Sequence, residues 1–116
     1  MKRDMDLIRT IFFAVEESPC GFQPQPEKFG VDSATFGMHA VLLEEAGLIE
    51  ASIPEVCGGP RECIWIERLT WKGHEFLDNV RDDTVWAEVR SKGTDLSFQL
   101  VLQLAIAFGM RKLGLS

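Results

Sequence analysis

The chain has 116 residues, of which 46% are hydrophobic and 26% charged, with a formal net charge of −6. At 13.0 kDa this is one domain's worth of globular sequence, and folding can bury roughly two thirds of the unfolded surface without help from disulfides or metal. Eighteen acidic against twelve basic residues and a pI near 4.8 exclude a protein that coats nucleic acid or membrane surfaces by bulk positive charge.

Residues 4–17 predict an amphipathic helix. Met5, Ile8, Phe12 and Val15 recur at spacings of three and four, Leu7 and Ile11 widen the stripe, and Asp4 is the N-cap. The helix must stop near Ser18, because Pro19 and Gly21 follow. Residues 18–31 also hold Pro24, Pro26 and Gly30 and read as loop, with one short extended segment around Glu27 to Val31. Residues 32–46 predict a second helix, capped by Asp32 or Ser33 and closed by Gly47. Ala40, Leu43 and Ala46 fall on one face, with Phe36 a turn earlier. Leu48 to Ile53 and Ile64 to Trp71 read as the strands of an antiparallel hairpin around a breaker-rich turn, Pro54 to Pro60. In the second strand Ile64 and Ile66 alternate against Trp65 and Glu67.

Three helices finish the chain. Thr70 caps one carrying Phe76, Leu77 and Val80, and Asp83 or Thr84 caps one carrying Val85, Trp86 and Val89. After Gly93-Thr94-Asp95, Ser97 caps the last, which runs to about Leu113. No repeat or internal boundary interrupts the pattern, so a single domain over 1–116 is expected, with 96–113 a packing and oligomerisation helix. The start, MKRDMDLIR, does not read as a signal peptide, because Asp4 and Asp6 break it. No run approaches the ~20 apolar residues of a membrane span. A cytoplasmic protein is expected, and three cysteines are an odd number that fits no secreted disulfide framework.

The order helix, loop, helix, hairpin, helix is that of a winged-helix domain. Met38 to Ile49, with its Ala-Gly-Leu-Ile ending, resembles the end of the recognition helix and the start of the wing in many bacterial winged-helix regulators. Arg68 to Leu77 resembles the second wing strand running into the next helix, where Leu-Thr is followed by Gly after two further residues. Met1 to Arg9, the Ala-Gly-Leu-Ile segment, Leu69 to Asp78 and Arg81 to Trp86 together are similar to a narrower family, domain of unknown function 2513. Its members are short proteins of bacteria and their phages. The resemblance implies an α+β, winged-helix-like fold and that biological setting, and it implies no reaction. One departure stands out: proline-rich residues 19–31 occupy the place of the scaffold helix that a helix-turn-helix reader needs.

Residues for four chemistries occur along the chain. DNA reading needs Lys, Arg, Asn or Gln on the recognition helix. Residues 33–46 contain none, and residues 10–60 hold one basic residue, Lys28, against eight acidic ones. Arg61, Arg68 and Lys72 are the candidate backbone contacts, few for an affinity that depends on released counterions. Self-association rests on Leu100 to Phe108, where eight of nine residues are apolar. A surface helix needs only one apolar stripe, so a partner subunit is a natural cover, with Leu102, Ile106 and Phe108 nearest its axis. The competing reading is a central helix wrapped by its own chain. Metal binding would call on Cys20, Cys57, Cys63, His39 and His74, but Cys-x5-Cys is not a zinc-knuckle spacing. Small buried thiols fit as well, and neither metal nor cofactor is expected. Catalysis would use His74 with Glu75, Asp78, Asp82 and Asp83, but a capped, solvated helix face with a His74–Asp78 contact is the expectation, and no enzyme is expected.

Trp65, Trp71 and Trp86 offer a stacking platform for single strands only if basic residues surround them. Core packing of Trp71 and Trp86, with Trp65 on a wing face, is the expectation. The sequence therefore points to a non-catalytic regulatory or adaptor protein that binds protein, its own copies included, as a homo-oligomer, and engages no membrane. A DNA-binding winged-helix regulator is the alternative. A third reading presents Glu44, Glu45, Glu50 and Glu55 as a mimic of nucleic-acid charge that blocks a host protein.

Overall fold

The structure, a computed structural model, describes residues 3–18, 21, 24–52, 64–93 and 97–114. Among them are five α-helices and one two-stranded antiparallel sheet, an α+β arrangement. The chain divides into two compact units, Met1–His74 and Glu75–Ser116, and the division falls inside the third helix.

In the first unit, α1 spans Met5–Glu16 and buries Met5, Leu7, Ile8, Ile11, Phe12 and Val15, the full predicted stripe. Its N-cap is Asp4, whose carboxylate accepts the backbone N–H groups of Asp6 and Leu7 at 3.0 and 3.2 Å. The extended segment expected near Glu27 to Val31 is instead a 3₁₀ turn, Pro26–Phe29. Pro26 presets φ for its first position and Gly30 closes it in the left-handed region at φ 73°. The α2 helix spans Ser33–Glu45 with Asp32 as its N-cap. Its end is a Schellman motif: Gly47 at φ 76° donates to Glu44 C=O, and Leu48 donates to Leu43 C=O at 3.0 Å. Ala46, expected on the buried face, is the exposed C-cap, because the helix ends one residue before it.

Strands β1 (Ile49–Ser52) and β2 (Trp65–Leu69) pair antiparallel, with Ile49 opposite Leu69, Glu50 opposite Arg68 and Ala51 opposite Ile66. Glu67 has no opposite number and forms a bulge. The bulge turns both Glu67 and Arg68 outward and so brings Ile66 and Leu69, three residues apart, to the same buried face. The second strand also stops short of Trp71, which opens α3 (Trp71–Val80). Trp71 is 79% exposed, not packed in the core as expected, because the first turn of α3 presents that position to solvent. Ile53 and the turn Pro54 to Pro60 lie outside the described residues.

The start of α3 is locked to the end of α2. The Thr70 hydroxyl accepts Gly73 N–H at 3.1 Å and donates to Gly47 C=O, while Thr70 N–H donates to Leu48 C=O at 3.0 Å. Gly73 is buried so closely that a Cβ there would stand 2.1 Å from the Leu48 carbonyl oxygen.

In the second unit, α3 buries Phe76, Leu77 and Val80, and α4 (Asp83–Arg90) buries Val85, Trp86 and Val89. The cap of α4 is Asp82, one residue before the expected Asp83 or Thr84, and its carboxylate accepts Thr84 and Val85 N–H at 2.8 and 3.0 Å. The last helix, α5, spans Phe98–Lys112 with Ser97 as N-cap. Phe98 stacks on Phe76 with ring centroids 4.7 Å apart. No helix among the described residues is long and apolar enough to cross a membrane.

Candidate protein interface

The α5 helix is apolar nearly all round, yet its own chain buries only Val101, Ala105 and Phe108, one stripe at spacings of four and three. Ile106 is 40%, Met110 42% and Leu113 75% exposed, and Leu102 is half-buried. The expected interface residues therefore divide. Leu102 and Ile106 share an outer face one turn apart. Phe108 sits on the buried stripe, with the Arg111 guanidinium 4.6 Å and the Lys92 ammonium 6.0 Å from its ring centroid.

The outer face extends beyond the apolar run read from the sequence, through Gly109, Met110 and Leu113. These residues, with Ile106 and Val85, floor a cleft of about 420 Å³ whose rim carries Asp78, Asn79, Asp82 and Lys112. The continuation was legible as the four-three-four spacing of Leu102, Ile106, Gly109 and Leu113, but a search for dense apolar stretches stops at Gly109.

Charge at the rim is paired. Lys112 and Asp82 form an ion pair. The hydrogen bond from Lys112, followed by that from Val85 N–H, lowers the Asp82 carboxyl to a pKa of about 2. Asp78 pairs with Arg81 at 3.3 Å, and His74 is exposed.

The remaining candidates lie in the first unit, where several are already engaged. Arg68 grips Glu50 in a two-pronged pair at 2.6 and 3.1 Å and also donates to Leu69 C=O at 3.1 Å. Lys72 reaches Ala46 C=O at 3.4 Å. The Glu44 carboxylate accepts Ala51 N–H at 3.1 Å, and Glu45 is exposed. Along α2 the middle residues Phe36, Gly37, His39, Ala40 and Leu43 are buried, which leaves Ser33, Ala34, Glu44 and Glu45 exposed at its two ends. Both ring nitrogens of His39 are hydrogen-bonded within the fold. Arg61, Glu55, Cys20, Cys57 and Cys63 lie outside the described residues. Among the described residues no group of three or more His, Cys, Asp and Glu could hold a metal ion.

Helix, loop, helix, paired strands and further helices make a winged-helix-like α+β layout. The family model described as "Hypothetical protein (DUF2513)" matches residues 2–99, and the chain belongs to that family. An "Uncharacterized protein" of Haemophilus influenzae is 41% identical over 115 residues, covering 90% of this chain and 92% of its own. No solved structure matches the chain. The family match ends one residue after α5 begins, so the outer face of α5 carries no family expectation.

Proposed function

We propose that this is a non-catalytic regulatory or adaptor protein of a bacterium or prophage, acting in the cytoplasm by binding protein, its own copies included, through the outer face of α5. One observation carries the reading: α5 buries a single stripe in its own unit while Ile106, Met110 and Leu113 stay exposed in a row. Apolar side chains collected along one helix face and rimmed by polar groups mark a protein-binding surface. Duplex DNA is the weaker reading, because the exposed ends of α2 offer two carboxylates and Arg68 already grips Glu50.

Light scattering and circular dichroism on the wild type and Ile106→Glu test it. The wild type is expected above its 13.0 kDa chain mass and the variant at that mass with an unchanged spectrum. A wild type that stays a single chain at high micromolar concentration overturns self-association. A variant that unfolds instead identifies the face as internal core.

A further inference from the structure

The outer face of α5 matches itself in reverse. Leu102, Ile106, Gly109 and Leu113 are spaced by four, three and four residues, so they share one side of the helix. That spacing reads the same in both directions about the midpoint between Ala107 and Phe108. A second α5 laid antiparallel about this midpoint sets Leu102 opposite Leu113 and Ile106 opposite Gly109. An exposed, branched side chain then meets the position without a side chain. A Cβ built at Gly109 would have nothing within 4 Å, and the cleft of about 420 Å³ opens beside it. Ile106, 40% exposed, is a knob for that hole.

Charge selects the same direction. Arg111 and Lys112 occupy the last turn of α5, and its first turn carries no acid. A parallel pair would align the two helix dipoles and bring both basic last turns together, with Lys112 in each already paired to Asp82. An antiparallel pair holds the two basic last turns apart and sets the two helix dipoles in opposition. The contact is self-complementary, as a twofold dimer requires.

We propose that the protein dimerises by antiparallel self-pairing of α5, Ile106 of each chain seating at the partner's Gly109. This rests on the reading of α5 as a protein-binding face and names a second copy of the chain as its occupant.

The test compares two kinds of variant by sedimentation equilibrium and native mass spectrometry. Gly109→Leu fills the hole with a good helix former in space that is open in the single chain. It is expected to keep the circular dichroism spectrum while weakening dimerisation by at least about tenfold, the effect of losing one well-seated apolar side chain. Leu102→Glu and Leu113→Lys are each expected to give monomers, and their equimolar mixture to give heterodimers, because only the antiparallel register puts Glu opposite Lys. A Gly109→Leu dimer as tight as the wild type, a mixture that stays monomeric, or a monomeric wild type overturns the pairing. If Ile106→Glu abolishes the oligomer while Gly109→Leu does not and the mixture stays monomeric, the α5 face stands and the antiparallel register falls. If Ile106→Glu leaves the oligomer intact, both fall.

Discussion

Nε2 of His39 accepts the backbone N–H of Asp4 at 2.8 Å, across 35 positions of sequence. An accepting Nε2 leaves the ring proton on Nδ1, which lies 2.8 Å from Thr35 C=O and donates to it. The ring is fully buried and both its polar atoms are used. His39 thus ties the N-cap of α1 to the first turn of α2, satisfying a backbone donor that no helical carbonyl reaches. Replacing it by Leu strands that N–H and the Thr35 carbonyl's partner position in the interior. His39→Leu is expected to cost about 1–3 kcal/mol in urea unfolding, the usual penalty for a buried group left unpaired. His39→Gln, which keeps an acceptor, should recover part of the loss, and equal loss in both variants would show that ring packing matters more than the hydrogen bond.

The approach of Gly73 to Leu48 gives the second expectation. With the Leu48 carbonyl oxygen 2.1 Å from the position of a Cβ, Gly73→Ala must push α3 away from the turn that closes α2. Alanine is the better helix former, so propensity alone would raise stability. Overpacking against rigid backbone should win, at about 1–3 kcal/mol of destabilisation. A thermal melt that rises on this substitution would show that the contact relaxes freely.

These two contacts also show what the sequence makes legible. The stripe of α1, the caps Asp4 and Ser97 and the turn at Gly47 follow from side-chain periodicity and local hydrogen bonding, and they stand where they were expected. Thr70 and Gly73, which carried part of the family resemblance, are explained by contacts with the Gly47-Leu48 turn. The bulge at Glu67 was not legible, because an extra residue in one strand is defined only by its partner strand. The 3₁₀ turn at Pro26 was missed for a related reason: proline's fixed φ suits an extended segment and a first helical position alike. On α5 the apolar run was plain, but which of its residues the chain would bury depends on α4, and so Phe108 could not be told from Ile106 in advance.

The tryptophans separate by burial. Trp86 is 7% exposed with the Arg90 guanidinium 5.9 Å from its ring centroid, whereas Trp71 is 79% exposed. Trp86→Ala is expected to cost about 3–5 kcal/mol, the range for emptying a large core site. Trp71→Ala should change stability by no more than about 0.5 kcal/mol, as surface substitutions usually do. Chemical denaturation of the two variants checks both, and a large loss at Trp71 would place that ring in a contact that matters to the fold.

Asp82 gives the stability of the second unit a pH dependence in acid. The carboxyl titrates near 3.8 in an unconstrained chain and at about 2 when Lys112 and the Val85 N–H hold its ionised form. Between those values the unfolded chain binds more protons than the folded one, so stability rises with pH across the window. The contribution is fully present above about 3.8 and is lost as pH falls toward 2. Asp82→Asn keeps an N-capping oxygen but cannot ionise, and it should flatten that part of the acid unfolding curve. Asp32, lowered in the same direction by its hydrogen bond from Thr35, leaves a residual slope from the first unit. Added salt separates the two causes at Asp82. Screening weakens the attraction of Lys112 for an exposed carboxylate and leaves the short bonds from Thr84 and Val85 N–H in place. The slope in wild type should therefore shrink with salt without vanishing, measured by far-ultraviolet circular dichroism on wild type and Asp82→Asn from pH 5 downward. Identical acid curves for the two proteins would show that the Lys112 pair does not hold the carboxylate ionised in solution.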